Sequence, residues 1–273
     1  MSGTIVDELC WEVRTSGSGV PLLLLHGFMG RGSGWSAHAT VFARHFRVIV
    51  VDLPGHGRSG IPGDPARASI ERSADDLAAI LRRSDASPAC VLGYSLGARL
   101  ALRLAIAHPS VVSRLVLESP SAGIATEVDR RARRAADEGR AARLERDGIG
   151  AFVDEWEREP VFASQATLSA ARARRLRAER LRNRPAGLTV SLRGAGQGSM
   201  EPLHERLAEV HASTLVIAGA LDPTGQARAV SVAAGIPGAR LEIVAGAGHA
   251  PHIETPTTFR SLTLDFLKED PAA

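Results

Sequence analysis

Residues 93–97 read Gly-Tyr-Ser-Leu-Gly, which places Ser95 between two glycines directly after the apolar residues 90–92. The apolar run predicts a buried strand, and residues 96–107 predict a helix. A serine in a sharp strand-to-helix turn exposes its hydroxyl, and the turn closes only if the residues two positions away are almost free of side chain. The pattern predicts that Ser95 is a catalytic nucleophile or base. An ordinary surface turn is the alternative, because short patterns recur by chance.

A serine hydroxyl becomes reactive when a histidine acts as its general base and a carboxylate orients that histidine. Asp222 follows the next-to-last predicted strand, and His249 follows the last one in the sequence Gly-Ala-Gly-His. Serine, acid and histidine in this chain order suit a nucleophile on a strand-to-helix turn. His252 competes for the role of base, but it lies beyond the glycine-rich turn, so we favour His249. A helix cap is the alternative role for Asp222, and a structural loop histidine is the alternative role for His249.

Negative charge that develops on a substrate oxygen needs two backbone N–H groups aimed at it. The residue after the serine, Leu96, supplies one of them at the start of the predicted helix, where the helix dipole also favours negative charge. The loop at residues 26–30, His-Gly-Phe-Met-Gly, follows the first central strand and should supply the second. Phe28 is the predicted donor in this loop, and its side chain could equally form part of a pocket wall.

Short apolar runs bounded by turns alternate with helical patterns along most of the chain. The runs are residues 22–25, 48–51, 89–92, 115–117, 215–218 and 241–244. The helical patterns cover residues 70–83, 96–107, about 226–234 and 259–268. This alternation predicts an α/β fold, with a mostly parallel central sheet and helices on both faces.

The middle of the chain has no strand-like run. Residues 126–181 are rich in Arg, Ala and Glu and predict several amphipathic helices. We therefore predict a helical cap at residues 123–199, inserted between two parts of the core, residues 1–122 and 200–273. Such a cap should lie over the carboxyl ends of the strands, where ligands bind in α/β proteins.

The composition excludes several classes of protein. The 273 residues are 44% hydrophobic and 23% charged, which fits a globular chain with a sizeable core. Two cysteines, Cys10 and Cys90, do not indicate a disulfide framework. The net charge of +3 comes with acidic residues interleaved among the arginines, so we expect no nucleic-acid binding. No apolar run is long enough to span a membrane and no signal-peptide pattern is evident, so we expect a cytoplasmic protein.

Several motifs together resemble the α/β-hydrolase superfamily. They are Leu-His-Gly at residues 25–27, Asp-Leu-Pro-Gly-His-Gly-Arg-Ser at residues 52–59, the serine turn, Asp222 and His249. Four segments resemble, more narrowly, the 2-succinyl-6-hydroxy-2,4-cyclohexadiene-1-carboxylate synthases of menaquinone biosynthesis. They lie at residues 93–99, 117–120, 162–165 and 191–194. The resemblance implies an α/β-hydrolase fold with an inserted helical cap.

The narrower resemblance also implies an activity. That family eliminates pyruvate from 2-succinyl-5-enolpyruvyl-6-hydroxy-3-cyclohexene-1-carboxylate and uses its triad to abstract a carbon-bound proton. The substrate carries three carboxylates, which arginines bind well because their planar forks match a carboxylate. Arg99 lies one helical turn past Ser95. No metal or organic cofactor is implied.

The same resemblance implies further substrate-binding residues. The cap arginines of the family correspond most nearly to Arg133 and Arg182, and Tyr94 and Trp156 match its pocket aromatics. Arg134 stays open as the alternative to its neighbour Arg133.

Two rival functions remain open. A serine hydrolase of esters, lactones or carbon–carbon bonds would use the same triad, and Arg99 with the cap arginines distinguishes it from the lyase. A non-enzymatic receptor or scaffold is the second rival, and the intact triad argues against it. We expect a small anionic substrate and a monomer or small homo-oligomer.

Overall fold

The computed structural model describes residues 2–269, and eight strands in this range form one sheet. The strands are β1 (Ser2–Val6), β2 (Leu9–Ser16), β3 (Pro21–Leu25), β4 (Arg47–Val51), β5 (Ala89–Tyr94), β6 (Val112–Glu118), β7 (Ser213–Gly219) and β8 (Arg240–Val244). Their order across the sheet is β1-β2-β4-β3-β5-β6-β7-β8. The pairs β1–β2 and β2–β4 are antiparallel, and the pairs from β4 to β8 are parallel.

Helices cover both faces of this sheet and form the insertion after β6. They are α1 (Ser36–Phe42), α2 (Ile70–Arg83), α3 (Leu96–Ala107), α4 (Glu127–Trp156), α5 (Ala170–Leu181), α6 (Pro185–Ala195), α7 (Pro223–Gly235), α8 (Pro251–Glu254) and α9 (Pro256–Lys268). Gly148 interrupts α4 with φ 78° and ψ 179°, a conformation that glycine adopts readily. No helix within residues 2–269 has both the length and the apolar character to cross a membrane.

The predicted α/β-hydrolase architecture is confirmed. Each predicted strand is present and extends by one to four residues, and the helices at residues 70–83 and 96–107 have the predicted bounds. The sequence reading missed the antiparallel strands β1 and β2. Strand β1 ends in only two apolar residues, Ile5 and Val6, and β2 is mostly polar after Trp11, so neither forms the long apolar run of a strand that is buried on both faces.

Strand β3 shows how the sheet divides the core. Its residues Leu22, Leu23, Leu24 and Leu25 are all fully buried. Successive side chains of a strand point to opposite faces, so Leu23 and Leu25 join the apolar cluster under α2 and α3. Leu22 and Leu24 join the cluster under α1 and α9 on the other face.

The inserted helices α4 to α6 pack around a small apolar core of their own. Leu144, Phe152 and Leu188 from the insertion contact Met29, and Phe28 packs against the same cluster. Since Met29 and Phe28 belong to the loop after β3, this cluster joins the insertion to the carboxyl edge of the sheet. Beside this cluster, a cavity lies between the insertion and the edge of the sheet.

We expect Leu23→Ala to lower the free energy of unfolding by about 2–5 kcal/mol, because it removes a fully buried side chain from the central sheet. Leu181→Ala is the matched control, since that leucine is 38% exposed at the end of α5. Urea unfolding of both variants measures the difference. Equal losses in the two variants would contradict this packing.

Candidate active site

Ser95 lies in the turn between β5 and α3. Its backbone has φ 51° and ψ −104°, a conformation that few residues other than glycine adopt, and its N–H donates to the Glu118 carbonyl at 2.9 Å. A Cβ atom on Gly93 would collide with the backbone of Gly97, and one on Gly97 would collide with the Leu25 carbonyl. The two glycines therefore let β5, α3 and the end of β3 approach closely enough to form the turn.

Ser95, His249 and Asp222 form a hydrogen-bonded chain. The Nε2 atom of His249 lies 3.1 Å from Ser95 Oγ, and its Nδ1 atom lies 2.7 Å from Asp222 Oδ2. Asp222 comes from the loop after β7 and His249 from the loop after β8, so three strand ends supply the three groups. With Nδ1–H donating to the carboxylate, Nε2 is free to accept the serine proton, which is the arrangement of a general base.

Asp222 has a second anchor besides the imidazole. Its Oδ1 accepts a hydrogen bond from Gly225 N–H at 2.8 Å at the start of α7. Burial disfavours the charged carboxylate, but the hydrogen bonds from His249 and Gly225 outweigh that effect and hold the pKa of Asp222 below its usual value. Asp222 is thus a helix cap as well as the partner of His249, and the two interpretations of its role describe the same geometry.

The loop after β3 lies directly against the serine turn. A Cβ atom on Gly27 would come within 2.6 Å of the Tyr94 ring and 3.4 Å of Ser95 Cβ. Inside the loop, His26 Nε2 accepts from Leu53 N–H at 3.0 Å, so its Nδ1–H donates to the Gly27 carbonyl at 2.8 Å. Burial lowers the pKa of His26, which keeps this neutral form.

The predicted oxyanion donors, Phe28 and Leu96, both line the cavity that contains Ser95. Leu96 is the first residue of α3, where backbone N–H groups have no partner within the helix. Neither amide donates a loop, turn or capping hydrogen bond within residues 2–269. Both donors are thus available to an oxygen in the cavity.

Two residues at the end of β6 connect the parts of the site. The Glu118 carbonyl accepts from Ser95, and its buried carboxylate accepts from His252 N–H at 2.8 Å and from His252 Nδ1–H at 2.9 Å. Ser119 Oγ donates to the His249 carbonyl at 2.8 Å. His252, the competing base of the sequence analysis, is therefore bound to Glu118, whereas His249 faces Ser95.

The cavity beside Ser95 has a volume of about 510 Å³ and lies between the sheet edge and the inserted helices. Its walls combine aromatic side chains with charged ones. The aromatic residues are Phe28, Tyr94, Trp156 and Phe162, and the charged residues are Arg99, Arg133, Arg140, Arg228, Asp137, Glu159 and Asp222. We name this space the triad cavity. Four arginines against three carboxylates favour an anionic ligand.

Arg99 is the buried cation of the triad cavity. It is 7% exposed, and its Nη1 donates to the Ala195 carbonyl at 2.9 Å. No carboxylate within residues 2–269 forms an ion pair with it. Burial, helped by the nearby charge of Arg133, lowers the pKa of Arg99 to about 9, so the guanidinium stays charged at neutral pH. A buried cation without a counterion favours the arrival of an anion.

The cap residue Arg133 lies in the wall of the triad cavity, whereas Arg134 does not. Arg133 Nε donates to the buried Asp137 at 2.9 Å, and its Nη1 donates to Gln197 Oε1 at 2.8 Å. Arg134 turns away to the Gly198 carbonyl and to Glu127. The structure thus resolves the alternative between the two neighbours in favour of Arg133.

The placement of Arg182 in the pocket requires a correction. It follows the last residue of α5, its side chain is 66% exposed, and it pairs with Glu179 at 3.2 Å on the surface. It lines neither the triad cavity nor the neighbouring cavity described below. Position in the chain alone could not show which arginine at this helix end points inward.

The sequence reading missed Arg140 and Arg228. Arg140 follows Arg133 and Asp137 at spacings of seven and three residues, which places all three on one face of α4. This spacing is visible in the sequence once Arg133 is assigned to the pocket. Arg228 lies on the exposed part of α7, two turns after Asp222, and nothing in its local sequence distinguishes it.

The structure offers no evident metal centre. Among residues 2–269, no group of three or more His, Cys, Asp and Glu side chains could hold a metal ion.

The chain is similar to several known proteins. Residues 20–256 match the family with an alpha/beta hydrolase fold. A Bacillus subtilis (strain 168) protein provisionally named 2-succinyl-6-hydroxy-2,4-cyclohexadiene-1-carboxylate synthase is 36% identical over 266 residues, which are 97% of each chain. The protein of that name from Pectobacterium atrosepticum is 30% identical over 247 residues, 90% of this chain and 93% of the relative.

A solved structure agrees with the sequence relatives. The structure of MenH from S. aureus superposes with a TM-score of 0.90 at 33% identity, and the match covers 94% of this chain and 97% of that one. The similarity extends through the inserted helices as well as the sheet, since so little of either chain is left out. The chain therefore belongs to the α/β-hydrolase family and, within it, to the family of 2-succinyl-6-hydroxy-2,4-cyclohexadiene-1-carboxylate synthases.

Proposed function

We propose that this enzyme is a carbon–oxygen lyase that eliminates pyruvate from 2-succinyl-5-enolpyruvyl-6-hydroxy-3-cyclohexene-1-carboxylate. The product would be 2-succinyl-6-hydroxy-2,4-cyclohexadiene-1-carboxylate. The observation that carries the proposal is the buried Arg99, a cation without a carboxylate partner in the described chain, in the same cavity as a hydrogen-bonded Ser95 and His249. The names of the relatives in several bacteria support it.

The first step is removal of a proton from carbon. His249 takes the Ser95 proton at Nε2, and Ser95 Oγ takes the proton from the substrate carbon. Asp222 stabilises the imidazolium that forms, through its 2.7 Å hydrogen bond to Nδ1. The electron pair of the broken C–H bond passes into an enolate, whose oxygen would accept from the amides of Phe28 and Leu96.

The second step breaks the carbon–oxygen bond. The enolate electron pair, left on C2 by removal of the proton, forms a double bond from C2 to C3, and the ring double bond shifts from C3–C4 to C4–C5. This shift expels the enolpyruvyl oxygen from C5, so the leaving group departs as the enolate of pyruvate. The proton held by the triad returns to that leaving group. No water enters this balance, and stabilisation of the intermediate enolate is the main demand on the site.

The arginines of the triad cavity suit the three carboxylates of this substrate. Arg99 would bind the carboxylate nearest the reacting carbon, because it follows Ser95 by one turn of α3. Arg133 and Arg140, which both lie on α4, would bind a second carboxylate of the substrate, although both also pair with Asp137. Trp156 and Tyr94 would pack against the ring. An arginine fork binds a carboxylate with two parallel hydrogen bonds, so it fixes orientation as well as charge.

The rest of the assignment follows from the same reaction. Residues 123–199 would act as a cap that separates the reacting groups from water, between core parts at residues 1–122 and 200–273. A small anionic substrate and a cytoplasmic location fit a biosynthetic enzyme of this kind. We propose a monomer or small homo-oligomer.

A serine hydrolase of small esters is the second candidate. The 3.1 Å contact between Ser95 Oγ and His249 Nε2 favours it, because acyl transfer uses the same serine and base. The two candidates differ in what the cavity must bind, a polyanion or a neutral acyl group.

Ser95→Ala should lower kcat for pyruvate release by roughly three or more powers of ten, because members of a triad act as a unit. The measurement supplies the enolpyruvyl cyclohexene substrate and follows pyruvate with a coupled dehydrogenase. Ser261→Ala, on the exposed face of α9, is the control and should keep the wild-type rate. A Ser95→Ala enzyme with more than about a tenth of that rate would rule out this role for Ser95.

Arg99→Ala should lower kcat/KM for elimination roughly 10- to 100-fold, since a hydrogen bond between charged groups contributes about 1.5–3 kcal/mol. Arg99→Lys should recover part of the loss, because an ammonium keeps the charge but not the fork. Arg103→Ala is the matched control, one turn further along α3, where Arg103 pairs with Glu201 outside the cavity.

The salt dependence of the same variants gives an independent readout. Wild-type kcat/KM should fall as ionic strength rises, because salt screens the attraction between the arginines and an anionic substrate. Arg99→Ala should show a weaker fall. If Arg99→Ala has the same kcat/KM and the same salt response as the wild type, the assignment of Arg99 to a substrate carboxylate is wrong.

A further inference from the structure

A second cavity, of about 370 Å³, lies on the other side of the aromatic wall of the triad cavity. Four residues line both spaces: Phe28, Tyr94, Trp156 and Phe162. The remaining walls of the second cavity come from the loop after β3, from α5 and from α9. Ser95, Asp222 and His249 are not among its lining residues.

The second cavity is more strongly cationic than the triad cavity. Five arginines line it, namely Arg31, Arg172, Arg175, Arg180 and Arg260. Glu179 is the single carboxylate among its lining residues. Glu179 is already engaged, since it accepts from Ser33 Oγ at 2.7 Å and pairs with Arg182 at 3.2 Å. The positive charge of this cavity is therefore not neutralised by its own wall.

Four of the five arginines have no partner within residues 2–269. The guanidinium groups of Arg31, Arg172, Arg175 and Arg260 make no hydrogen bond or ion pair there, whereas Arg180 is held by Glu157 and Gln165. Three separate elements bring these four cations to one space. Like charges repel, and an anion between them would offset the repulsion.

The His252 imidazole is a further polar group in the wall of the second cavity. Its Nδ1–H donates at 2.9 Å to Glu118, which is fully buried, so the ring orientation is fixed. Its Nε2 makes no hydrogen bond within the described chain, and the residue lines the second cavity.

We propose that the second cavity is a separate binding site for an organic carboxylate with a flat apolar body. The unpartnered arginine forks match a carboxylate, and the aromatic rings of Trp156 and Phe162 match an apolar body. The volume exceeds that of a bare inorganic anion, which would leave the aromatic wall without contact. This site goes beyond the proposed reaction. Its occupant would contact the four wall residues that the second cavity shares with the triad cavity.

Isothermal titration calorimetry with benzoate tests the site without turnover, so its result is independent of the elimination reaction. Arg99→Gln with Arg133→Gln removes the anion-binding groups of the triad cavity, and this double variant should still bind benzoate. Arg31→Gln with Arg260→Gln should weaken the site in the second cavity at least tenfold. Benzamide, which has the ring without the charge, should bind much more weakly than benzoate.

Two controls keep the outcome interpretable. Arg174→Gln, an exposed residue of α5 that lines neither cavity, should leave benzoate binding unchanged. If the Arg31 and Arg260 variant fails to fold, Arg172→Gln with Arg175→Gln on the exposed side of α5 replaces it.

Three results would overturn the proposal. The first is loss of all benzoate binding in the Arg99 and Arg133 variant, which would place the anion in the triad cavity alone. The second is unchanged binding in both second-cavity variants. The third is a large rise in KM for the cyclohexene substrate in those variants, because the second cavity would then be part of the substrate site.

Discussion

The backbone turn at Ser95 is the constraint on which the whole site depends. The serine has a positive φ, and it keeps this conformation because Glu118 fixes its N–H while Gly93 and Gly97 leave no side chain in the way. A strained residue of this kind persists only where the surrounding structure holds it. The central strands supply that surrounding, since their side chains are buried on both faces and leave β5 little freedom to shift.

Residues near the turn also connect it, through hydrogen bonds, to the other residues of the proposed active site. Glu118 contacts Ser95 through its carbonyl and His252 through its carboxylate, and Ser119 contacts the backbone of His249. Gly27 leaves room for the Tyr94 ring, so the loop that carries Phe28 lies against the serine. Ser95, His249 and the loop that carries Phe28 are thus joined by one set of contacts, which is the fixed arrangement that the proposed catalysis would require.

Much of this arrangement could be predicted from the sequence, and the reason is local. Ser95 is defined by its own glycine neighbours, and Asp222 and His249 follow strands whose apolar runs are unmistakable. The remainder depends on how the inserted helices lie on the core. Arg133 and Arg134 differ by one residue, or about 100° around α4, so only the packing of that helix decides which of them faces the cavity.

The errors have the same cause. Arg182 was placed in the pocket from its position in the chain, but α5 ends there and the side chain points to the surface. The second cavity was not foreseen, since its arginines come from three elements that are far apart in the sequence. Strands β1 and β2 were missed because neither carries the long apolar run that marks a strand buried on both faces.

The central claim is that the triad of this chain serves elimination from a polyanion rather than hydrolysis of a neutral ester. Its most direct test is the ratio of kcat/KM for pyruvate release from the enolpyruvyl cyclohexene substrate to kcat/KM for p-nitrophenyl acetate, with the same enzyme preparation. The arginines contribute binding energy only to the anionic substrate, so the account predicts a much larger value for elimination. An ester value equal to or above the elimination value would contradict the account and identify the protein as a serine hydrolase.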